Sequence, residues 1–389
     1  MRRKIVMLTD VTFWEGSYGS HARIAQLLRS LSQAHEVVVF LLRTLTVVER
    51  EKISEIAGLS EVEIISYKSY SGHRPSFARK LSKLPYYAKR WVPDFAEAFN
   101  LYLEAHPADA VIFEYLTVGY IADVCPPETA TILDMHDVMS SRTINMRMAG
   151  LRASIELDVP TERELLAGFD AVMAISSEDV DFCQNKLELE DVLYVPHAVA
   201  ARSRNRFGDG SRMLFVGANS APNVTGLRWF IDQVMPLLEE RMVLHVVGDV
   251  CNAFVDRASS RIVLHGRQDD LDAHFDAADI SVNPVFVGGG LKIKCVDALA
   301  AGLPCVTTVE GAAGLAGARG AGLAVATSRV DFARAVTHFA EREHDRRAVA
   351  RAAPIFMGGE FSPQRAIAPL LSFLGTLETG SGDKAEKDV

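Results

Sequence analysis

Short apolar runs alternate with longer segments of helical periodicity along most of this chain, and that rhythm admits few folds. "KIVMLTD", "EVVVFLL", "ADAVIFEY", "TILDMHD" and "DAVMAIS" follow one another through the first half, with stretches such as "HARIAQLLRSL" between them. After a polar interruption the pattern resumes with "MLFVG", "VLHVVGD", "RIVLHG", "ISVNPV" and "LPCVTT", each leading into helix-like sequence. Strands buried on both faces read as near-continuous apolar runs, and the intervening helices supply the crossovers of a parallel sheet. At 389 residues the chain is too long for one ordinary core. The economical reading is α/β, with two Rossmann-like domains facing an interdomain cleft.

The expected boundaries are residues 1–195 for the N-terminal domain, 196–211 for a linker and 212–358 for the C-terminal domain. Residues 359–379 form a C-terminal helix returning to the N-terminal domain, and 380–389 a disordered tail. The linker falls in the polar stretch "HAVAARSRNRFGDGSR", and the tail, "GSGDKAEKDV", has no apolar periodicity. A net charge of −9 argues against a general nucleic-acid binder. Five widely spaced cysteines, odd in number and with no CxxC pair, argue against a disulfide framework and a zinc site, and for a reducing cytoplasm. The apolar start of "MRRKIVMLTD" breaks at Thr9 and Asp10, too early for a signal peptide, and reads as a first buried strand. No run of about 18 apolar residues is available to span a membrane.

In open parallel sheets ligands sit beyond the carboxyl ends of the strands, so the loops there carry the functional reading. The densest signal is "GGGLKIKCVDALAAGLPCV", residues 288–306. Gly288, Gly289 and Gly290 let a backbone pass close to a ligand, and the run from Leu291 to Ala301 opens a helix whose free N–H groups point back at them. Lys292 and Lys294 place positive charge where a phosphate would sit. Asp297, about a turn and a half further on, is positioned to take the hydroxyls of a sugar. The stretch suggests a nucleotide diphosphate with its ribose; the plainer alternative is a strand-to-helix turn with solvated lysines and a solvated Asp297.

Together with "MLFVGANSAPNVTGLRWFIDQVMPLL", "LHVVGD" and "IVLHGRQDDLDAHFDAADISVNPV", this motif resembles the retaining glycosyltransferases of the GT-B fold, the group 1 class that includes glycosyltransferase family 4. The resemblance runs from Lys4 to about Leu374 and is densest from Met213 to Thr308. It implies donor contacts at Gly217 and Asn219, at Gly266 and Arg267 beside the nucleobase, and at Gly288, Gly289, Gly290, Leu291, Lys294 and Asp297. Lys292 is the expected direct contact to the diphosphate and, with His136 near the donor sugar, the catalytic assignment. Many relatives carry a glutamate eight positions before the Asp297 equivalent; here that position is Gly289. The loop after Gly217 carries no basic residue, which shifts the phosphate charge onto Lys292 and Lys294.

From the first half, Gly19 heads a helix facing the cleft, with Arg23 a turn further on, and both are expected to border the cleft or acceptor. Glu114 follows a strand and is read as an acceptor contact or, equally, a structural or capping group. Ser176 and Ser177 read as helix caps. "DVD" at Asp179 to Asp181 is rejected as a metal motif because helical spacing makes the carboxylates diverge. No metal or other cofactor is expected to be required, the nucleotide-sugar being a substrate. Residues 72–91, with six basic and no acidic residues among aromatics, suggest contact with an anionic membrane surface or a lipid-linked acceptor, at the inner face of the membrane, or else a solvated helix face.

The activity this implies is transfer of a sugar from a nucleotide-activated donor to a hydroxyl of a glycan or lipid-linked acceptor, in surface polysaccharide synthesis. Competing readings are an epimerase or inverting transferase on the same fold, and a non-catalytic nucleotide-sugar binding subunit.

Overall fold

The computed structural model describes residues 2–16, 18–58, 63–66, 93–153 and 155–377. The basic stretch 72–91 and the tail 380–389 lie outside the described residues. Two parallel sheets organise the chain. The first has seven strands in the order β3-β2-β1-β4-β5-β6-β7: β1 (Lys4–Thr9), β2 (Glu36–Leu41), β3 (Glu63–Ser66), β4 (Ala110–Glu114), β5 (Ala130–Asp134), β6 (Ala171–Ala174) and β7 (Val192–Tyr194). The second has six, in the order β10-β9-β8-β11-β12-β13: β8 (Arg212–Val216), β9 (Val243–Val247), β10 (Ile262–Leu264), β11 (Ile280–Asn283), β12 (Cys305–Thr308) and β13 (Leu323–Ala326). Each sheet reverses its order beside its first strand, between β1 and β4 and between β8 and β11, which opens a crevice at the strands' carboxyl ends.

The apolar runs are continuous because each central strand feeds two cores. In the first sheet Val6, Leu8, Val38, Phe40, Val111 and Phe113 pack on one face. Ile5, Met7, Val37, Val39, Ala110 and Ile112 pack on the other, the period-2 alternation of a sheet covered by helices on both sides. The helix Pro363–Thr376 crosses back to the N-terminal domain and buries Ile367, Leu370 and Leu374 in that second core. Helix Glu343–Glu360 instead packs on the C-terminal domain through Val349, Ala353 and Met357.

Between the sheets, residues 196–211 form no helix or strand but are held throughout. The amides of Gly208, Gly210 and Arg212 all donate to the buried carboxylate of Asp279, and Arg346 reaches the Gly208 carbonyl at 2.8 Å. A side chain on Gly210 would strike the Ala340 carbonyl oxygen at 2.0 Å, so the chain passes there as bare backbone. No helix among the described residues is long and apolar enough to cross a membrane.

Candidate active site

A cavity of about 430 Å³ lies between the two domains, at the carboxyl ends of both sheets. Three helices aim their N-termini at it: Gly19–Ala34, Ala221–Trp229 and Ile293–Ala300, whose N-cap residues Tyr18, Ser220 and Lys292 all border the cavity. None of the three caps makes a side-chain bond to its helix. Elsewhere Thr46, Asp158, Ser176 and Ser328 cap their helices in the ordinary way, while helices Glu343–Glu360 and Pro363–Thr376, whose ends do not border the cavity, also lack a side-chain cap, so it is the convergence of the three ends that marks the site. The helix Met139–Met148, also without a cap of its own, has its first amides taken by the Glu162 carboxylate. First-turn amides left uncapped carry partial positive charge, so three such ends around one cavity form an anion site.

Glycines set the floor on the C-terminal side. Gly217 follows β8, and Gly248, with φ 107°, stands so close that a Cβ would meet the Gly217 carbonyl oxygen at 2.2 Å. Gly248 in turn donates its amide to the Gly266 carbonyl. The loops after β8, β9 and β10 are thus knitted backbone to backbone. Gly266 performs that knitting and does not border the cavity; its neighbour Arg267 does. The Arg267 guanidinium donates across the cleft to the Glu15 carbonyl.

The glycine–lysine motif differs from the sequence reading in one detail. The helix begins at Ile293, not Leu291, because Gly288 and Gly290 take φ values of 142° and 61° and Lys292 has ψ 91°. Lys292 is therefore the cap, and its ammonium folds back on the carbonyls of Gly289 and Gly290, each at 3.0 Å, and on Glu310 at 3.3 Å. Lys294, the second residue of the helix, donates to Asn223 Oδ1 at 2.6 Å and lies 4.4 Å from the Phe215 ring centre. Both lysines border the cavity, with Leu291 and Asp297 beside them. Burial pushes the Lys294 ammonium down to about 8. Gly288 and Gly289 line a smaller adjoining cavity, whereas Gly290 faces away from both, packed on Asp137 and the His136 carbonyl. Asn219 is exposed and borders neither cavity; the amide side chain at the site is that of Asn223, in the first turn of the next helix. Asp297 stands 3.9 Å from the imidazole of His197, a buried linker residue.

On the N-terminal side, parallel pairing of β4 and β5 sets Glu114 directly beside Asp134. Arg23 closes on the pair from its helix: Nε and Nη2 hold both Asp134 oxygens at 2.7 to 3.0 Å, and Nη1 donates to the Val195 carbonyl. Arg23 thus touches the cavity edge, but each of its three nitrogens is engaged inside the protein. Glu114 does not border the cavity at all; fully buried, it holds His136 Nε2 at 2.8 Å. The acceptor contact expected of either residue gives way to a supporting one. Burial and the neighbouring Asp134 push the Glu114 carboxyl up to about 7, against the pull of His136 and Arg23. Glu114, Asp134 and His136 offer ligand atoms within 4.8 Å of one another, yet the cation at that cluster is Arg23 itself.

His136 does border the cavity. Its ring stacks on Tyr115 at 4.0 Å and 12°, and both residues have positive φ, 62° and 75°. Non-glycine residues pay for that conformation, and two at adjacent strand ends mark a backbone bent to present side chains. Ser176 caps the helix Ser177–Asn185 by accepting the Asp179 amide, and its hydroxyl donates to the Asp179 carboxylate at 2.6 Å, which commits the first "DVD" carboxylate to the helix end while Asp181 is exposed. Sequence reasoning passed over Tyr18, Ser20, Tyr115, Arg142, Asn223 and Asp249 as cavity residues. Asp249 was findable, since it follows β9 at the carboxyl end of the sheet.

Residues 210–342 match the family model described as Glycosyl transferases group 1. Solved structures with the same fold cover nearly the whole chain at low identity. Sucrose-phosphate synthase from Thermosynechococcus elongatus superposes with a TM-score of 0.71 at 13% identity, covering 96% of this chain and 98% of that one. TarM gives 0.75 at 9%, covering 97% and 99%. Anabaena HepE in complex with UDP and glucose gives 0.70 at 14%, covering 97% and 100%. A curated Klebsiella pneumoniae protein, named as an uncharacterized 44.6 kDa protein in the cps region, is 24% identical over 195 residues, 46% of this chain and 50% of its own length. The chain thus spans about half the length of that relative. The fold is GT-B, and the C-terminal domain of the chain carries the match to the group 1 glycosyltransferase model.

Proposed function

We propose that this protein is a retaining glycosyltransferase that moves a sugar from a nucleotide-sugar donor to a hydroxyl of a glycan or lipid-linked acceptor, with no metal ion required. The observation that carries the reading is the convergence of three uncapped helix N-termini with Lys292 and Lys294 on one interdomain cavity. A volume of about 430 Å³ suits a nucleotide diphosphate. As the bond to the sugar breaks, negative charge grows on the departing phosphate, and fixed amide dipoles and ammonium groups stabilise it at no reorganisation cost. These same groups supply the positive charge that a divalent ion supplies in other transferases. The acceptor hydroxyl approaches from the leaving-group face and gives its proton to the departing phosphate. Asp297, supported by His197, takes the ribose hydroxyls.

The cps-region name of the Klebsiella relative supports a role in polysaccharide assembly, and the structures of HepE in complex with UDP and glucose and of a TarM variant in complex with UDP, fondaparinux and α-GlcNAc-glycerol support a nucleotide donor and a glycan acceptor. The basic stretch 72–91 would bring the acceptor domain to an anionic membrane at the cytoplasmic face.

A thermal-shift panel of UDP, GDP, ADP, CMP and dTDP with their sugar conjugates tests the donor reading. A ligand at about 100 times its Kd adds roughly 2.7 kcal/mol. A shift with one nucleotide class, lost in Lys294→Ala and Asp297→Ala, supports the proposal; no shift with any refutes it. The anomeric configuration of the product, read by NMR, separates retention from inversion, and release of a changed sugar nucleotide without acceptor would mean an epimerase.

A further inference from the structure

Beside the main cavity lies a second of about 140 Å³, and the two share Asp137, Arg142, Asn223, Lys292 and Lys294. Asp137 alone among the acidic residues borders both; Asp249 and Asp297 line only the larger. Its placement is costly and specific. It follows the left-handed His136, and its amide turns back to the Met135 carbonyl at 2.8 Å, which throws the side chain across the domain boundary. There its Oδ1 would lie 2.9 Å from a Cβ on Gly289 and equally 2.9 Å from one on Gly290. Only a pair of glycines admits a carboxylate at that point. Arg142 holds the other oxygen, Oδ2, at 3.2 Å, and no hydrogen bond from a described residue reaches Oδ1.

An oriented carboxylate with one oxygen anchored and the other unpaired, at the junction of a phosphate-sized anion site and a small side chamber, has the chemistry of a hydroxyl reader. We infer that Asp137 is the specificity-determining residue for the transferred sugar: its Oδ1 accepts hydrogen bonds from ring hydroxyls of a neutral hexose seated in the smaller cavity. The inference rests on the donor reading above and names the part of the donor it concerns. A site built to bond a hydroxyl rejects analogues lacking it, because the acceptor, half-buried here and covered by the bound sugar, is then left unpaired. The same negative charge disfavours a sugar bearing its own carboxylate.

Isothermal titration with UDP, GDP and ADP, and with the glucose conjugate of each, tests this in the full chain. Wild type binds a conjugate more tightly than its parent diphosphate. Asp137→Ala weakens the conjugate by about tenfold to a hundredfold, the weight of a hydrogen bond to a charged group, and leaves the diphosphate within roughly twofold. Asp137→Asn, which keeps the shape and can keep the Arg142 contact through its amide oxygen, shows most of the same loss. Gly289 does not sit in the left-handed region, so a side chain is sterically allowed there once Asp137 is gone. Gly289→Asp alone sets two carboxylates in contact and impairs binding, whereas Asp137→Ala with Gly289→Asp returns a carboxylate to the same space and recovers conjugate affinity.

Equal loss of diphosphate and conjugate in Asp137→Ala would make the residue a domain-docking contact and overturn the inference. So would wild-type affinity that ignores the sugar, with the nucleotide reading left standing. Failure of every diphosphate to bind wild type would sink the donor reading itself and this inference with it.

Discussion

Glu114 is where the chemistry of single residues is most exposed to test. Ionised, its carboxylate accepts a hydrogen bond from His136 Nε2 and holds the ring at the cavity wall; protonated, it competes for the same nitrogen as a donor. With its carboxyl pushed up to about 7, the ionised form is lost as pH falls through 7. Turnover of wild type should therefore decline on that acid limb, and Glu114→Gln should flatten it. The variant should also lower kcat by roughly 10–100-fold, the equivalent of about 1.5–3 kcal/mol for a charged hydrogen bond. Stability runs the other way. A carboxyl whose folded value lies above its unfolded one contributes stability that is full below pH 4.5 and lost as pH rises through 7. Glu114→Gln should thus raise Tm at pH 8 while lowering kcat, measured by calorimetry beside a pH–rate profile. A residue with a purely structural role would lower both.

The helix Ala221–Trp229 poses the same conflict at the level of an element. Ser220 stands at its N-terminus without capping it, so the first-turn amides stay available to a ligand at a cost in stability. Ser220→Asp supplies a cap and a negative charge against the helix dipole. It should stabilise the unliganded protein by about 1 kcal/mol and weaken diphosphate binding by roughly tenfold, since the added charge competes for the same amides. Opposite shifts in Tm and Kd are the expected signature, and parallel shifts would mean the helix end does not face the phosphate.

How far the elements were legible follows from their burial. β1, β2, β4, β5 and β8 announce themselves because they are buried on both faces. β3, β7 and β13 are three- or four-residue edge strands in their sheets and carry too little pattern to stand out. The glycine turn at 288–290 was readable as an anion site, but not the last residue before the helix, which hangs on backbone angles at Lys292. Nor was the partnership of Glu114 with His136, because it depends on the register that sets Glu114 beside Asp134 across two strands. Asn219 and Asn223 were indistinguishable by composition; only the start of the helix decides which amide turns inward.

At the scale of the whole molecule the chain crosses between domains twice, once through residues 196–211 and once where helix Pro363–Thr376 returns to the first core. Two crossings restrict the domains to a hinge motion that opens and shuts the cleft between them. Bonds made only across the cleft then set the closed population. One is free of the ligand site: Glu178 Oε1 accepts the Gly314 amide at 3.0 Å, and neither residue borders the cavity. A hydrogen bond worth about 0.5–1.5 kcal/mol shifts a two-state ratio by roughly 2–10-fold. Spin labels at Met148 and Asn219, both exposed and on opposite domains, read that ratio directly, with Cys125→Ser removing the one cysteine that is not buried. Saturating diphosphate should gather the distances into a short population, and Glu178→Ala should return part of it to longer ones by that factor. Turnover should fall in proportion. Because Glu178 touches no ligand, a loss of turnover with unchanged distances would break the link between closure and catalysis.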